Sequence, residues 1–243
     1  MRIIKLDAID STNTYLRQLS AFEAIEDFTV VVANYQIQGR GQMGTQWNSE
    51  PSKNLMVSVF KKVSYFDLEH QFFISIVVSL SILQALKTFH IKNLKVKWPN
   101  DILAENKKIG GILIENVIKQ TKLNATIIGF GINVNQTQFE HLPLASSMRL
   151  ISGRVHALEE ILQVILARLE YNFELLQQKQ HGTLKSAYEK QLFRKNKPST
   201  FKDNDGQLFS GYIKGISDLG RLQILVEDNI IKEFDLKTVN MMY

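Results

Sequence analysis

The order of helical and strand-like patterns along the chain most strongly constrains its fold. Apolar residues recur with helical spacing over residues 68–89, 158–176 and 184–192. Runs typical of strands lie around these helices, and two of the runs form the arms of a hairpin around residues 105–107. Because some strands are joined directly by hairpins, the pattern favours an α+β fold over a doubly wound one. The predicted strands are 3–6, 28–34, 55–60, 94–98, 102–104, 109–115 and 125–134.

The pattern changes after Lys197-Pro198. Residues 198–243 hold short alternating runs separated by turn dipeptides such as Asp205-Gly206. This pattern is typical of a small β barrel of about five strands. We therefore predict two domains, with residues 1–193 forming the larger one and residues 194–243 the barrel.

Composition excludes several classes of protein. The chain has no cysteine, so it forms neither disulfides nor thiolate metal sites. Its most apolar stretch, Phe72 to Leu86, is interrupted by three serines and a glutamine. A bilayer span needs about 20 apolar residues, so this stretch is predicted to be a core helix. The charged N-terminus does not resemble a signal peptide, and we expect a cytoplasmic protein.

The charge pattern leaves two interpretations open. The net charge is +5 and the pI is about 9.2, but the basic residues are scattered along the chain. A solvated surface is the favoured interpretation. An anionic ligand or partner is the alternative.

A glycine-rich loop at residues 38–47 raises the question of phosphate binding. Gly39, Gly41 and Gly44 match the dinucleotide fingerprint G-x-G-x-x-G, but a strand pattern follows where that motif requires a helix. A P-loop would need lysine where the chain has Thr45. The remaining possibilities are a mobile turn, or a loop that closes over an anion with Arg40 as its cation.

Two further segments combine glycines with polar residues. Residues 96–116 place Asn100 and Asp101 at a bend and put Lys108 two residues before Gly110-Gly111. Residues 129–135 carry two glycines followed by Asn133. Each segment has an ordinary explanation: an Asx turn, one more solvated lysine, or an irregular strand end. Three glycine-thinned segments with polar or cationic groups together indicate one site.

Five segments occur in a fixed order along the chain: STN at 11–13, Q-x-x-G-R-G-x-x-G-x-x-W at 36–47, KWPND at 97–101, K-x-G-G-I-L-x-E at 108–115 and G-x-G-I-N-V-N at 129–135. Together these motifs resemble those of biotin–protein ligases, here of the type named biotin–[acetyl-CoA-carboxylase] ligase. The resemblance extends into the predicted barrel and so covers nearly the whole chain. It implies a class II synthetase-like fold with a mixed β-sheet, the biotin/lipoate ligase fold, followed by an SH3-like barrel.

The resemblance implies a reaction in two steps that uses biotin, ATP and Mg²⁺. The biotin carboxylate attacks the α-phosphate of ATP, which gives biotinyl-5′-AMP and releases pyrophosphate. A lysine of a biotin carboxyl carrier domain then attacks the mixed anhydride, which forms an amide and releases AMP. Since the nucleophile belongs to a substrate, the enzyme needs only to neutralise charge and align the reactants.

The resemblance also implies roles for individual residues. Lys108 and Arg40 are expected to be catalytic, Trp47 to stack on adenine, and Asp101 to hold Mg²⁺. The expected biotin-binding residues are Ser11, Thr12, Asn13, Gln36, Gly39, Arg40, Gly41, Gln42, Lys108, Gly110 and Gly111. The expected ATP- and adenylate-binding residues are Arg40, Trp47, Asn100, Lys108, Ile132 and Asn133.

The chain departs from the family pattern at Gln42, where many members have a second arginine that helps retain the adenylate. Arg40 and Lys108 are therefore expected to supply most of the phosphate neutralisation. The early position of STN leaves no room for a helix-turn-helix, so we expect a ligase that does not bind DNA. A homodimer is compatible with the sequence but is not determined by it.

Two rival functions are weighed against this one. A lipoate–protein ligase shares the catalytic fold, but its R-R-x-x-G-G-G motif is absent from the sequence. A non-catalytic binding module is the other rival, and it predicts aromatic and basic residues clustered on the barrel. The barrel aromatics are instead spaced like a core: Phe201, Phe209, Tyr212, Phe234 and Tyr243.

Overall fold

A seven-stranded sheet organises the first part of the molecule. The computed structural model describes residues 1–119, 121–140, 142–236 and 238–242. Strand order is β1-β2-β3-β7-β6-β5-β4; β1 and β2 are parallel, and every other pair is antiparallel. This mixed sheet confirms the predicted α+β class. The strands are β1 (Arg2–Ile9), β2 (Thr29–Gln36), β3 (Leu55–Lys62), β4 (Lys95–Lys97), β5 (Asp101–Ala104), β6 (Lys107–Lys119) and β7 (Lys122–Ile132).

One apolar helix forms the centre of the main core. The segment Leu68–Thr88 is long and apolar enough to cross a membrane, but 72% of its most apolar window is buried inside the protein. Its helix, α2, packs mainly against α4 and α5, and it is apolar on all sides because neighbours surround it. It is a core helix, as predicted. The helices are α1 (Thr12–Phe22), α2 (Phe72–Thr88), α3 (Met148–Ser152), α4 (Leu158–Gln177) and α5 (His181–Lys190).

Helix α1 packs against the sheet in a smaller, separate core. Leu16 of α1 is fully buried and clusters with Val31 of β2, Phe60 of β3 and Ile127 of β7. Ser11 lies at the N-cap of α1, but its side chain makes no capping hydrogen bond. The side chain of Ser11 therefore stays free for another role.

A five-stranded antiparallel sheet forms the C-terminal part, in the order β11-β10-β9-β8-β12. Phe209 stacks on Phe201 and Phe234, with ring centroids 5.4 and 5.5 Å apart. These rings serve the core, as predicted, whereas Tyr212 is exposed and Tyr243 lies outside the described residues. The strands are β8 (Pro198–Asp203), β9 (Leu208–Ile216), β10 (Leu222–Leu225), β11 (Ile231–Phe234) and β12 (Val239–Met242).

A tight turn connects the C-terminal sheet to the rest of the molecule. The indole Nε1 of Trp98 donates a hydrogen bond of 3.0 Å to the carbonyl of Gly220. Gly220 has a φ of +81°, and a Cβ there would lie 2.1 Å from Cγ of Phe72. The turn therefore needs glycine both for its backbone conformation and for its close packing. The division into domains at residue 193 remains a prediction.

Candidate functional site

A cavity of about 530 Å³ lies between the seven-stranded sheet, the loop at residues 36–47 and the C-terminal sheet. Asn240 and Met241 of β12 form part of its wall, so both sheets contribute to it. Twelve of the sixteen predicted site residues line this one cavity. They are Ser11, Thr12, Asn13, Gln36, Arg40, Gly41, Gln42, Trp47, Asn100, Asp101, Lys108 and Gly111.

The glycine-rich loop folds back on itself over the cavity. The backbone N–H of Trp47 donates to the carbonyl of Gly39 at 2.8 Å, and that of Gly41 donates to Thr45 at 2.7 Å. A short 3₁₀ turn, Gln42–Gly44, closes the loop, and Gly44 has a φ of +78° that favours glycine. Strand β3 follows and no helix begins, which agrees with rejecting the dinucleotide and P-loop interpretations.

Paired glycines form a bare floor beneath Trp47. Gly111 and Gly131 are directly opposite each other on β6 and β7. A Cβ at Gly131 would lie 2.5 Å from Cε2 of Trp47, and one at Gly111 would lie 3.2 Å from its Cζ3. The indole ring therefore lies across both glycines, and its buried Nε1 has no hydrogen-bond partner among the described residues.

A chain of polar groups runs along one end of the cavity. Gln36 Oε1 is 2.8 Å from the backbone nitrogen of Thr12 and 3.0 Å from its Oγ1. Ser58 Oγ is 2.8 Å from Thr12 Oγ1 and 2.5 Å from Asn13 Oδ1. A Cβ at Gly129 would lie 2.3 Å from Asn13 Oδ1, so this glycine makes room for the amide.

Glu115 continues this chain and joins it to the loop. Its Oε2 accepts a hydrogen bond of 2.9 Å from Asn13 Nδ2. Its Oε1 is 3.2 Å from an Arg40 guanidinium nitrogen and 3.4 Å from one of Arg17. Arg40 also reaches Thr14 Oγ1 at 3.5 Å. The guanidinium of Arg40 thus lies near α1.

Cationic groups gather at the other end of the cavity. Lys108 Nζ is 2.6 Å from Asp101 Oδ1 and 5.9 Å from the centre of the Trp47 ring. Lys97 also lines the cavity. Burial lowers the pKa of Lys97 below its usual value; nearby Asp101 raises this pKa, and nearby Lys108 lowers it. Two ammonium groups beside one carboxylate make this end suited to an anion.

The backbone around Lys108 and Asn100 is fixed from both sides. The N–H of Lys108 donates to Leu144 at 2.7 Å, and its carbonyl accepts from Ser146 at 2.9 Å. Asn100 Nδ2 donates to the carbonyl of Ile112 at 3.0 Å, and the N–H of Ile112 donates back to Asn100. The Asn100 side chain thus ties its bend to β6, which is more than a local Asx turn.

Four predicted site residues lie behind the cavity wall. Gly39 closes the loop through its backbone, and Gly110 packs against Ile132, whose Cδ1 would lie 2.7 Å from an added Cβ. Ile132 is fully buried. Asn133 donates from Nδ2 to the carbonyl of Ser146 at 3.0 Å, because β7 ends at Ile132 and the chain turns away.

The fold brings to this place several polar groups that had no predicted role. Ser58 is one polar residue in an otherwise apolar strand run, and Glu115 closes the K-x-G-G-I-L-x-E motif. Lys97 belongs to KWPND. Ser58 could have been singled out because it is polar and lies in a strand predicted to be buried. A buried hydroxyl group needs a hydrogen-bond partner.

Comparison with known proteins places the chain in a family. Residues 6–133 match the model of the biotin/lipoate A/B protein ligase family. The bifunctional ligase/repressor BirA of Escherichia coli is 30% identical over 229 residues, which cover 93% of this chain and 70% of that protein. The BirA of Bacillus spizizenii is 31% identical, and the match spans 70% of this chain but only 53% of that relative.

Solved structures agree with the match. The biotin protein ligase of Aquifex aeolicus, in complex with biotin and ATP, superposes with a TM-score of 0.83 and 26% identity. The superposition covers 99% of this chain and 98% of the Aquifex chain. The chain belongs to the biotin/lipoate A/B protein ligase family.

Proposed function

We propose that this chain is a biotin–protein ligase that uses ATP to form biotinyl-5′-AMP and then transfers biotin to a lysine of a carrier domain. The supporting observation is one cavity with a neutral hydrogen-bonding end, at Thr12 and Gln36, and a cationic end, at Lys108. A cyclic urea with an acidic side chain has this same polarity. Relatives named as biotin ligases, and the Aquifex structure with biotin and ATP, support this choice over lipoate.

The neutral end is assigned to the ureido ring. Thr12, Asn13 and Gln36 offer hydroxyl and amide groups, and Ser11 adds a hydroxyl that no capping bond occupies. A urea group both donates and accepts hydrogen bonds, so this inventory suits it. A buried site that pairs such groups rejects ligands that lack them.

The cationic end is assigned to the reacting groups. The Lys108 ammonium moves part of the way from Asp101 and contacts the biotin carboxylate and the α-phosphate. One carboxylate oxygen then attacks phosphorus, and the bond to the pyrophosphate oxygen breaks. Trp47 offers adenine the ring face turned away from its glycine floor, and Asn100 holds the bend beside it. Arg40 reaches the phosphate when it leaves Glu115.

One carboxylate at the cavity, that of Asp101, is suited to bind a magnesium ion. Asp101 is the only acidic residue among the described residues that line the cavity. The described part of the chain holds no cluster of three acidic or histidine ligands. Magnesium in ATP sites is commonly held by one or two carboxylates and by the phosphates, so Asp101 would hold it and the ion would neutralise phosphate charge.

The acceptor is proposed to be the biotin carboxyl carrier domain of a carboxylase. The C-terminal sheet borders the cavity, so it is positioned to close over ATP or this acceptor. A homodimer and a cytoplasmic location remain predictions from the sequence.

Biotin-dependent ATP–pyrophosphate exchange tests the first step. We expect exchange with biotin and none with lipoate, followed by transfer of labelled biotin to a purified carrier domain. Exchange driven by lipoate alone would assign the chain to the lipoate branch of the family. No exchange with either acid would favour a non-catalytic binding protein.

A further inference from the structure

Glu115 stands at one end of an unbroken line of polar contacts that ends at Gln36. The line runs from Glu115 through Asn13, Ser58 and Thr12 to Gln36, and each contact is between 2.5 and 3.0 Å. Glu115 does not itself line the cavity, whereas Thr12 and Gln36 do. Glu115 can therefore act on a ligand along this line or through Arg40, which pairs with it at 3.2 Å and does line the cavity.

The carboxylate fixes the orientation of the Asn13 amide. Asn13 Nδ2 lies 2.9 Å from Glu115 Oε2 and 3.4 Å from the carbonyl of Leu113. Both partners only accept hydrogen bonds, so the amino side of the amide must face them. The oxygen of the amide then faces Ser58, and Ser58 must donate its hydrogen across the 2.5 Å contact.

A count of hydroxyl hydrogens shows where the line is deficient. Each hydroxyl carries one hydrogen, and that of Ser58 is used on Asn13. Thr12 then has one hydrogen for two oxygen neighbours, Ser58 at 2.8 Å and Gln36 at 3.0 Å, and we assign it to the shorter contact. Gln36 presents its oxygen to Thr12, because it accepts from the backbone N–H of Thr12 at 2.8 Å. The 3.0 Å contact between Thr12 Oγ1 and Gln36 Oε1 is then left without a hydrogen.

We propose that Glu115 is a positioning residue that directs these hydrogen bonds, so that the oxygens of Thr12 and Gln36 together require an N–H donor from the ligand. The inference rests on the proposed function and assigns this donor to a ureido N–H of biotin. Two guanidinium groups, from Arg17 and Arg40, lie 3.4 and 3.2 Å from Glu115 Oε1 and can only donate to it, so they hold the carboxylate in place as an acceptor. A ligand with oxygen in place of that N–H would face two acceptors and be rejected.

The variant Glu115→Gln tests the direction of the line. The guanidinium groups keep donating to the oxygen of the new glutamine amide. The NH₂ group of that amide therefore faces Asn13. Asn13 then turns over and donates to Ser58, Ser58 donates to Thr12, and Thr12 donates to Gln36. The pair of oxygens no longer needs a hydrogen from the ligand, while the shape of the site is kept.

The measurement is calorimetric binding of biotin and of the two cyclic carbamate analogues, in each of which one ring N–H is replaced by oxygen. The wild-type chain is expected to prefer biotin strongly over at least one analogue. Glu115→Gln is expected to reduce that preference about tenfold, the loss produced by one buried hydrogen bond. Ser58→Ala, which breaks the line at its centre, is expected to reduce it similarly. Arg2→Gln, which removes a guanidinium group from an exposed ion pair with Glu23, is the matched control and leaves the preference unchanged.

The outcomes separate the two claims. An unchanged preference in both Glu115→Gln and Ser58→Ala overturns the inference, even where both variants bind biotin more weakly. If Glu115→Gln does not fold, Ser58→Ala decides alone. If the wild-type chain binds biotin but shows no ATP–pyrophosphate exchange, the proposed reaction is wrong. The role of Glu115 is still decided by the binding measurements, because they need no catalysis. A chain that binds no biotin overturns both.

Discussion

The substitution Gly131→Ala probes the bare floor under Trp47. The added Cβ would lie 2.5 Å from Cε2 of the indole and 2.8 Å from Cζ2 and Nε1. Carbon atoms in contact lie about 3.5 to 4.0 Å apart, so the ring must rise by about 1 Å or more. The backbone of β7 cannot move away instead, because Gly131 is paired with Met56 of β3 on one side and with Gly111 of β6 on the other.

The displaced ring should weaken ATP binding. Overpacking costs about 1–3 kcal/mol, and stacking of a base on an aromatic ring contributes a similar amount. A loss of about 1.4 kcal/mol raises the KM for ATP about tenfold. The assay is ATP–pyrophosphate exchange at saturating biotin, with the fluorescence of Trp47 as a second readout. Gly182→Ala is the matched control, because an added Cβ there meets nothing within 4 Å.

If Gly131→Ala keeps the KM for ATP within twofold of wild type and leaves the indole fluorescence unchanged, Trp47 does not use this floor when ATP is bound. The control variant should keep its KM, and it should gain about 0.5–1 kcal/mol in stability because alanine is the better helix former.

Three further perturbations have defined outcomes. Gln42→Arg should slow the release of biotinyl-5′-AMP in a dissociation assay, and an unchanged rate would show that charge is not lacking there. Gly220→Ala should lose about 3 kcal/mol in urea unfolding, from strain and from the clash with Phe72; Gly153→Ala, which has a φ of +73° but open space, should lose only about 1 kcal/mol. Burial lowers the pKa of His156, so the unfolded chain takes up its proton first, and stability should fall as pH drops below about 6.5. His156→Gln should flatten this fall in urea titrations between pH 5 and 8, and an equally steep fall would contradict the assignment.

The sequence predicted elements with strong periodicity well. Helix α4 was expected at 158–176 and is found at Leu158–Gln177, because its apolar stripe continues without interruption. Helix α2 begins at Phe72, later than expected, because Leu68–His70 forms a 3₁₀ turn. The five residues of α3 were not predicted, since so short a helix shows no period.

The site was predictable only in part. Glycines and a lysine in three segments indicated one cavity, and these segments do meet there. The contacts of Ser58 could not be predicted, since Asn13 lies 45 positions away in sequence and meets it only after the sheet forms. Glu115 was visible as a motif residue, but its link to Arg40 depends on how the loop folds.

Formation of biotinyl-5′-AMP by Lys108→Ala tests the central claim most directly. We expect the variant to fold, to bind biotin and to form the adenylate at least about 100-fold more slowly than wild type in a single turnover, because the ammonium group stabilises developing charge. Lys107→Ala, one residue earlier on β6 and exposed, should keep the wild-type rate. A Lys108→Ala rate within twofold of wild type would contradict the placement of the reaction in this cavity.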